Sequence, residues 1–139
     1  MKSVPLSAYQ ETLGMLYFAR MLDKIRHNAA GDLREDFCDN LGMGLDDRCA
    51  GFLRVDYGDL VARVLVGGND DEILRWCHEA GRQLSEGDLF IWNHYLKKVG
   101  WNDATSEILV RRKRESGLEG RDDIRTMVEY FEHDEGRKS

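Results

Sequence analysis

Glycine residues punctuate this sequence at the ends of segments whose apolar residues recur with helical spacing. Glycine at such a position adopts the left-handed backbone that commonly closes a helix. The single proline, Pro5, precedes all of these segments, so no proline ring interrupts a helix. The glycines that end the segments are Gly31, Gly67, Gly81, Gly100, Gly117 and Gly136. These stops predict at least six helices.

The predicted helix starts are consistent with the helix ends that the glycines predict. Four of them combine an N-cap residue with a polar residue three positions later, and these N-cap residues are Ser7, Asp56, Asn69 and Ser85. No segment shows the strict alternation that is typical of a strand. The predicted helices cover residues 7–30, 46–53, 57–66, 70–80, 86–99, 104–116 and 122–133. We therefore predict an all-α fold with no sheet.

At 139 residues the chain has the length of one domain. We expect a compact single-domain bundle of about six to seven helices over residues 1–139, with frayed ends at 1–6 and 134–139. Within the bundle, apolar residues at helical spacing form core-facing stripes. One such stripe consists of Leu89, Trp92, Leu96 and Val99.

The net charge of −6, from 20 Lys and Arg against 26 Asp and Glu, disfavours a nucleic-acid partner because it repels a phosphate backbone. No stretch approaches the length of apolar sequence that a membrane span requires, so we expect no membrane partner. Three cysteines without close spacing suit a reducing compartment. These features predict a cytoplasmic protein with free thiols.

The first predicted helix carries an unusual row of ionisable residues. Residues 13–19 are apolar on every side, which is expected of a helix that passes through the interior. Arg20, Lys24 and His27 continue the same stripe, and Asp23 lies within helical reach of the row. A buried stripe thus becomes ionisable midway along the helix.

Two cations and an imidazole at the edge of a core predict a pocket between helices for a small anionic molecule, with Asp23 holding the row in place. His27 is then the candidate catalytic residue for proton transfer. The alternative is that the helix emerges into water after Ala19. In that case its charges are solvated, and Asp23 pairs with His27 or Arg20 for little energy.

Arg48 and Trp101 complete the candidate ligand-binding residues. Arg48 precedes Cys49, which is either a nucleophile activated by a helix N-terminus or, as we favour, a buried structural thiol. Trp101 either lines one wall of the pocket or, as we favour, anchors a capping turn as a buried indole. Residues 31–45 form the one long predicted loop, which is either functional or packed down by its own apolar side chains.

The remaining chemistry-bearing residues indicate no metal site and no particular cofactor. Neither a Cys-x-x-Cys pair nor two histidines four residues apart occurs. His94 lies away from the apolar stripe of its helix, so we expect a surface residue. Whether the protein is an enzyme is left open by the sequence.

Four stretches of the chain resemble an uncharacterised bacterial family that is catalogued only as a domain of unknown function. They are residues 17–26 (YFARMLDKIR), 70–76 (DDEILRW), 100–103 (GWND) and 121–124 (RDDI). The resemblance spans most of the chain and implies a single bacterial cytosolic domain. It implies no activity, cofactor or catalytic residue.

Two functional hypotheses follow. The first is a small-molecule site that holds an anion with Arg20, Lys24 and His27. The second is a non-enzymatic interaction module, with a homodimer as one form, in which the tryptophans and the long loop make a sticky surface. A concave pocket lined by the row favours the first hypothesis, and an exposed apolar patch favours the second.

Overall fold

The computed structural model describes residues 2–139, and this stretch contains eight helices and two short strands. The strands are β1 (Glu11–Thr12) and β2 (Met15–Leu16), and the helices are α1 (Phe18–Ala30), α2 (Glu35–Cys38), α3 (Leu45–Leu53), α4 (Tyr57–Val66), α5 (Asp70–Ala80), α6 (Glu86–Lys98), α7 (Ser106–Glu115) and α8 (Met127–Asp134). The chain is mostly helical, as predicted. The predicted count of six to seven helices and the predicted absence of a sheet are both wrong.

The predicted helix 7–30 begins instead at Phe18, because β1 and β2 form an antiparallel hairpin before it. The two residues between the strands, Leu13 and Gly14, have φ angles of 48° and 82°. Positive φ at both positions is the geometry of a two-residue hairpin turn. The apolar run is buried from Met15 onward, as expected. A short buried apolar run, however, suits a strand as well as a helix.

The segment 31–45, predicted as one loop, contains the short helix α2. Its start also pairs with the beginning of the chain, because the Ser3 amide donates to the Asp32 carbonyl (2.6 Å) and the Arg34 amide donates to the Ser3 carbonyl (2.9 Å). Of the ends that we expected to fray, the described part of 1–6 is therefore hydrogen-bonded. Met1 lies outside the described residues.

Three of the predicted helix starts are confirmed in detail, and at one of them Ser85 and Asp88 exchange hydrogen bonds of 2.9 and 3.1 Å. The Asp56 carboxylate accepts a hydrogen bond from the Asp59 amide at 3.0 Å. Asn69 and Glu72 form a reciprocal capping box, with bonds of 3.1 and 2.9 Å. These local exchanges satisfy amide groups that the first turn of a helix leaves without a partner. Ser7 does not cap a helix, since its hydroxyl accepts the Tyr9 amide in a turn.

Two compact units make up the chain, Met1–Leu89 and Phe90–Ser139, and the division falls within α6. The first unit is built around α1, which packs against β1, α4 and α5. The buried face of α1 includes Phe18, Met21, Leu22 and Ile25. Hairpin and helices thus enclose one apolar core in this unit.

The second unit has its own core, in which α7 packs against α8. Trp92 and Leu96 are buried along one side of α6, as the predicted stripe requires. The last helix begins at Met127 rather than at residue 122, and Thr126 caps it by accepting the Glu129 amide at 3.1 Å. A capping bond between two residues that are three apart in the sequence therefore sets the start of α8.

Charge is unevenly divided between the units. Residues 1–89 hold 16 Asp and Glu against 10 Lys and Arg, whereas residues 90–139 hold 10 of each. The whole excess of negative charge lies in the first unit. None of the helices within residues 2–139 combines the length and apolar character needed to cross a membrane.

Gly81 and Gly51 provide a matched test of packing in the first unit. A Cβ atom at Gly81 would lie 2.0 Å from the Leu53 carbonyl oxygen, whereas one at Gly51, inside α3, would meet nothing within 4 Å. We expect Gly81→Ala to lower the free energy of unfolding by about 3 kcal/mol, because backbone must move. Gly51→Ala should raise it by about 0.5–1 kcal/mol. Urea unfolding measures both, and equal effects would contradict the packing around Gly81.

Candidate functional site

Lys24, Asp46 and Tyr17 form a buried polar cluster in the first unit. The Lys24 Nζ atom lies 2.7 Å from Asp46 Oδ1, and it donates a hydrogen bond to Tyr17 Oη at 3.1 Å. The Tyr17 hydroxyl in turn donates to Asp46 Oδ1 at 2.6 Å. Asp46 has 0% of its surface exposed. A carboxylate this deeply buried requires such partners, because desolvation of an unpaired charge is costly.

Helix spacing and a local hydrogen bond orient the members of this cluster. Tyr17 and Lys24 are seven residues apart, which places them on one side of the start of α1. Asp46 lies in the first turn of α3, and its second carboxylate oxygen accepts the Gly42 amide at 3.1 Å. Gly42 has φ of 75°, and a Cβ atom there would overlap the Tyr57 ring at 2.8 Å. The carboxylate thus also fixes the end of the long loop.

Burial keeps the hydroxyl and thiol groups near Asp46 protonated. Desolvation, reinforced by the negative charge of Asp46, raises the pKa of Tyr17 well above its ordinary value. The same two causes raise the pKa of Cys49. A buried thiol with a raised pKa is a poor nucleophile. These features support the structural interpretation of Cys49 over the catalytic one.

Arg20 and Asp23 bind the backbone of the N-terminal segment. One Arg20 guanidinium nitrogen donates to the Leu6 carbonyl at 3.1 Å, and the Leu6 amide donates to Asp23 Oδ2 at 3.0 Å. Both polar backbone groups of Leu6 are therefore held by side chains of α1. Arg20 is only 1% exposed, so the helix does not emerge into water at this residue. The expectation of solvated charges after Ala19 is wrong for Arg20 and Lys24.

His27 lies between two carboxylates. Its Nδ1 atom is 2.8 Å from Asp32 Oδ1, and its Nε2 atom is 3.4 Å from Asp23 Oδ1. These two carboxylates would repel an anionic ligand placed beside the ring. To hold an anion, the row would have to exchange these internal partners for a ligand. The anion pocket, and the catalytic role of His27, stay predictions.

Arg48 and Trp101 are both exposed. Arg48 lies on the surface of α3, two residues after buried Asp46. Trp101 is 56% exposed, so the expected buried indole is wrong. A turn is present here, because the Asp103 carboxylate accepts the amides of Gly100 and Thr105, but Thr105 at the start of α7 makes no side-chain capping bond.

An open cleft of about 570 Å³ lies elsewhere in the first unit. Its walls are Glu11, Thr12, Arg26 and residues 68–71. The row of Arg20, Asp23, Lys24 and His27 does not line it. Arg26 does, but its guanidinium is 2.5 Å from Asp70 Oδ1. Because carboxylates outnumber the one cation, this cleft is unsuited to an anion.

The outer face of α6 was missed as a functional candidate. We use this name for Phe90, Ile91, His94, Lys97 and Lys98, which lie opposite the buried stripe of Trp92 and Leu96. Phe90 is 64% exposed and Ile91 is 63% exposed. The His94 ring stacks on Phe90 with 4.1 Å between centroids. His94 is a surface residue, as predicted, and the sequence signal was two large apolar residues outside the core stripe.

Comparison with known proteins adds a family but no activity. A family model described as "Domain of unknown function (DUF5069)" matches residues 2–137. The chain belongs to this family. No curated protein matches it. The resemblance expected from the sequence is thus confirmed over nearly the whole chain, and a function for this DUF5069 member has to come from its geometry.

The buried pair in this DUF5069 chain can be tested by a double-mutant cycle. We expect Lys24→Met to lower the free energy of unfolding by about 3–5 kcal/mol, because it leaves the Asp46 carboxylate buried without its cation. Lys24→Met combined with Asp46→Asn should cost clearly less than the sum of the single changes. Arg26→Met, which removes a half-exposed pair, should cost about 1 kcal/mol or less. Additive costs at Lys24 and Asp46 would exclude a coupled pair.

The three free cysteines differ in accessibility. Cys38 is half-buried, whereas burial raises the pKa of Cys77 to about 12 and also raises that of Cys49. With a thiol-specific chromogenic reagent at about pH 8, we expect the folded protein to react at Cys38 alone, and all three thiols to react in denaturant. Cys38→Ser should abolish the reaction of the folded protein. Rapid labelling of folded Cys38→Ser would show that Cys49 or Cys77 is reactive.

Proposed function

We propose that the protein is a non-enzymatic interaction module, and that it binds a protein partner through the outer face of α6. The observation that carries the proposal is the exposure of Phe90 and Ile91, at 64% and 63%, in the middle of a helix. Adjacent large apolar side chains at an exposed position are a feature of protein interfaces.

The internal packing of α6 does not account for these two residues. The opposite side of the helix already supplies the core, where Trp92 is 3% exposed and Leu96 is 0% exposed. A partner that covered Phe90 and Ile91 would gain on the order of 2–4 kcal/mol from apolar burial. The Phe90 ring, stacked on His94, is a preformed aromatic anchor of the kind that dominates binding energy at interfaces.

A protein partner is favoured over a small anionic molecule and over nucleic acid. The anionic small molecule ranks lower because Arg20, Lys24 and His27 already contact carboxylates or a carbonyl of the same chain. Nucleic acid ranks lower because the net charge is −6.

We also propose that the protein is bacterial and that its location is cytoplasmic. The three free thiols support the location, because thiols stay reduced in the cytoplasm.

Leu65 and Val66, at the end of α4, provide a matched control for the outer face of α6. They are also adjacent, apolar and exposed, at 58% and 82%. We expect Phe90→Ser/Ile91→Ser to weaken partner binding at least tenfold and Leu65→Ser/Val66→Ser to leave it unchanged. Quantitative affinity purification with the three chains identifies the partner, and titration of the purified partner measures its Kd.

Circular dichroism and thermal unfolding check that both double variants fold. A partner that is lost with the α6 variant and retained with the α4 variant supports the proposal when its purified form reproduces that difference. Recovery of the same proteins by all three chains, or equal Kd values for the purified partner, would overturn it.

A further inference from the structure

We infer that the partner is a second copy of this chain, with the outer faces of two α6 helices packed antiparallel about a two-fold axis. This inference rests on the proposed function and names the partner of the same surface. The charges of α6 carry it, because the helix is acidic in its first turn and basic in its last turn. A helix of this kind is complementary to its own reversed copy.

The charges that face outward are Glu86 at one end of α6 and Lys97 and Lys98 at the other, and all three are exposed. Asp88 is engaged locally, since it exchanges hydrogen bonds with Ser85. Antiparallel packing places each acidic end beside the basic end of the other copy, and it also opposes the two helix dipoles. Parallel packing would place like charges together, which disfavours it.

The spacing of residues along α6 fits the same arrangement. Gly87, Phe90, Ile91 and His94 recur at the three- and four-residue intervals that form one helical face. A two-fold axis level with Trp92 puts Glu86 opposite Lys98 of the second copy and Phe90 opposite its His94. Each aromatic anchor then stacks on the equivalent surface of the other chain, as an isologous interface requires.

Glycine at position 87 lets the two helices approach at that end. A Cβ atom added there would meet only the Ser85 hydroxyl, at 3.7 Å, so space is open around it. The outer face of α6 follows one helix of 13 residues, which spans roughly 20 Å. An interface of that length is at the small end of specific interfaces. We therefore expect a dissociable dimer with Kd on the order of 10–100 µM.

Charge reversal separates this arrangement from nonspecific self-association. We expect Glu86→Lys alone, and Lys97→Glu/Lys98→Glu alone, each to weaken the dimer about tenfold, because attraction at both symmetric ends becomes repulsion. An equimolar mixture of these two variants should recover wild-type affinity as a heterodimer. In that heterodimer, each end of the helix pair again brings lysine against glutamate.

The measurement is sedimentation equilibrium of the purified full chain from about 1 µM to about 500 µM, with native mass spectrometry to count heterodimers in the mixture. Glu79→Lys, an exposed charge reversal on α5, is the control for net charge and should leave the dimer unchanged. Raising the salt concentration should weaken the wild-type dimer, because these pairs are exposed to solvent.

The outcomes distinguish this inference from the function on which it rests. A wild-type chain that stays monomeric overturns the inference, and so does a dimer in which the mixture is no tighter than either variant. If the chain is monomeric but a purified heterologous partner still depends on Phe90 and Ile91, the proposed function stands without the dimer. If neither association depends on these two residues, both are overturned.

Discussion

The ion pair between Lys24 and Asp46 is the interaction on which the first unit depends. It joins the middle of α1 to the first turn of α3, and the same carboxylate holds the Gly42 amide and the Tyr17 hydroxyl. One buried group therefore fixes a helix, a loop end and a hydroxyl together. Because Asp46 is fully buried and the Lys24 side chain is only 10% exposed, water compensates little for the loss of either partner.

The other polar residues of α1 also serve the scaffold. Arg20 and Asp23 hold the backbone of Leu6, and His27 lies between Asp23 and Asp32. The row that suggested a ligand site in the sequence therefore contacts other groups of the same chain, and the anion pocket stays a prediction. The surface through which we propose that a partner binds, the outer face of α6, lies instead in the second unit, whose charges balance.

The sequence was most informative where structure depends on neighbours along the chain. The starts of α4 and α5 follow from Asp56 and Asn69, because capping is a local interaction. The hairpin before Phe18 was missed since a buried apolar run has the same composition as a strand or a helix. The partner of Lys24 could not be predicted, because nothing near Asp46 in sequence shows that its carboxylate is buried.

For the outer face of α6, the sequence pattern contained a usable signal. Phe90 and Ile91 stand outside the stripe of Trp92 and Leu96, but only the packed structure shows that they are left exposed.

The backbone conformation of Tyr17 limits which residues can replace it. Its φ of 77° is unfavourable for a tyrosine, and glycine would relieve that backbone, yet glycine would remove the hydroxyl that donates to Asp46. Position 17 therefore requires both a left-handed backbone and a side-chain hydroxyl that reaches Asp46, and glycine meets only the first requirement. We expect the residue at this position to change slowly in evolution.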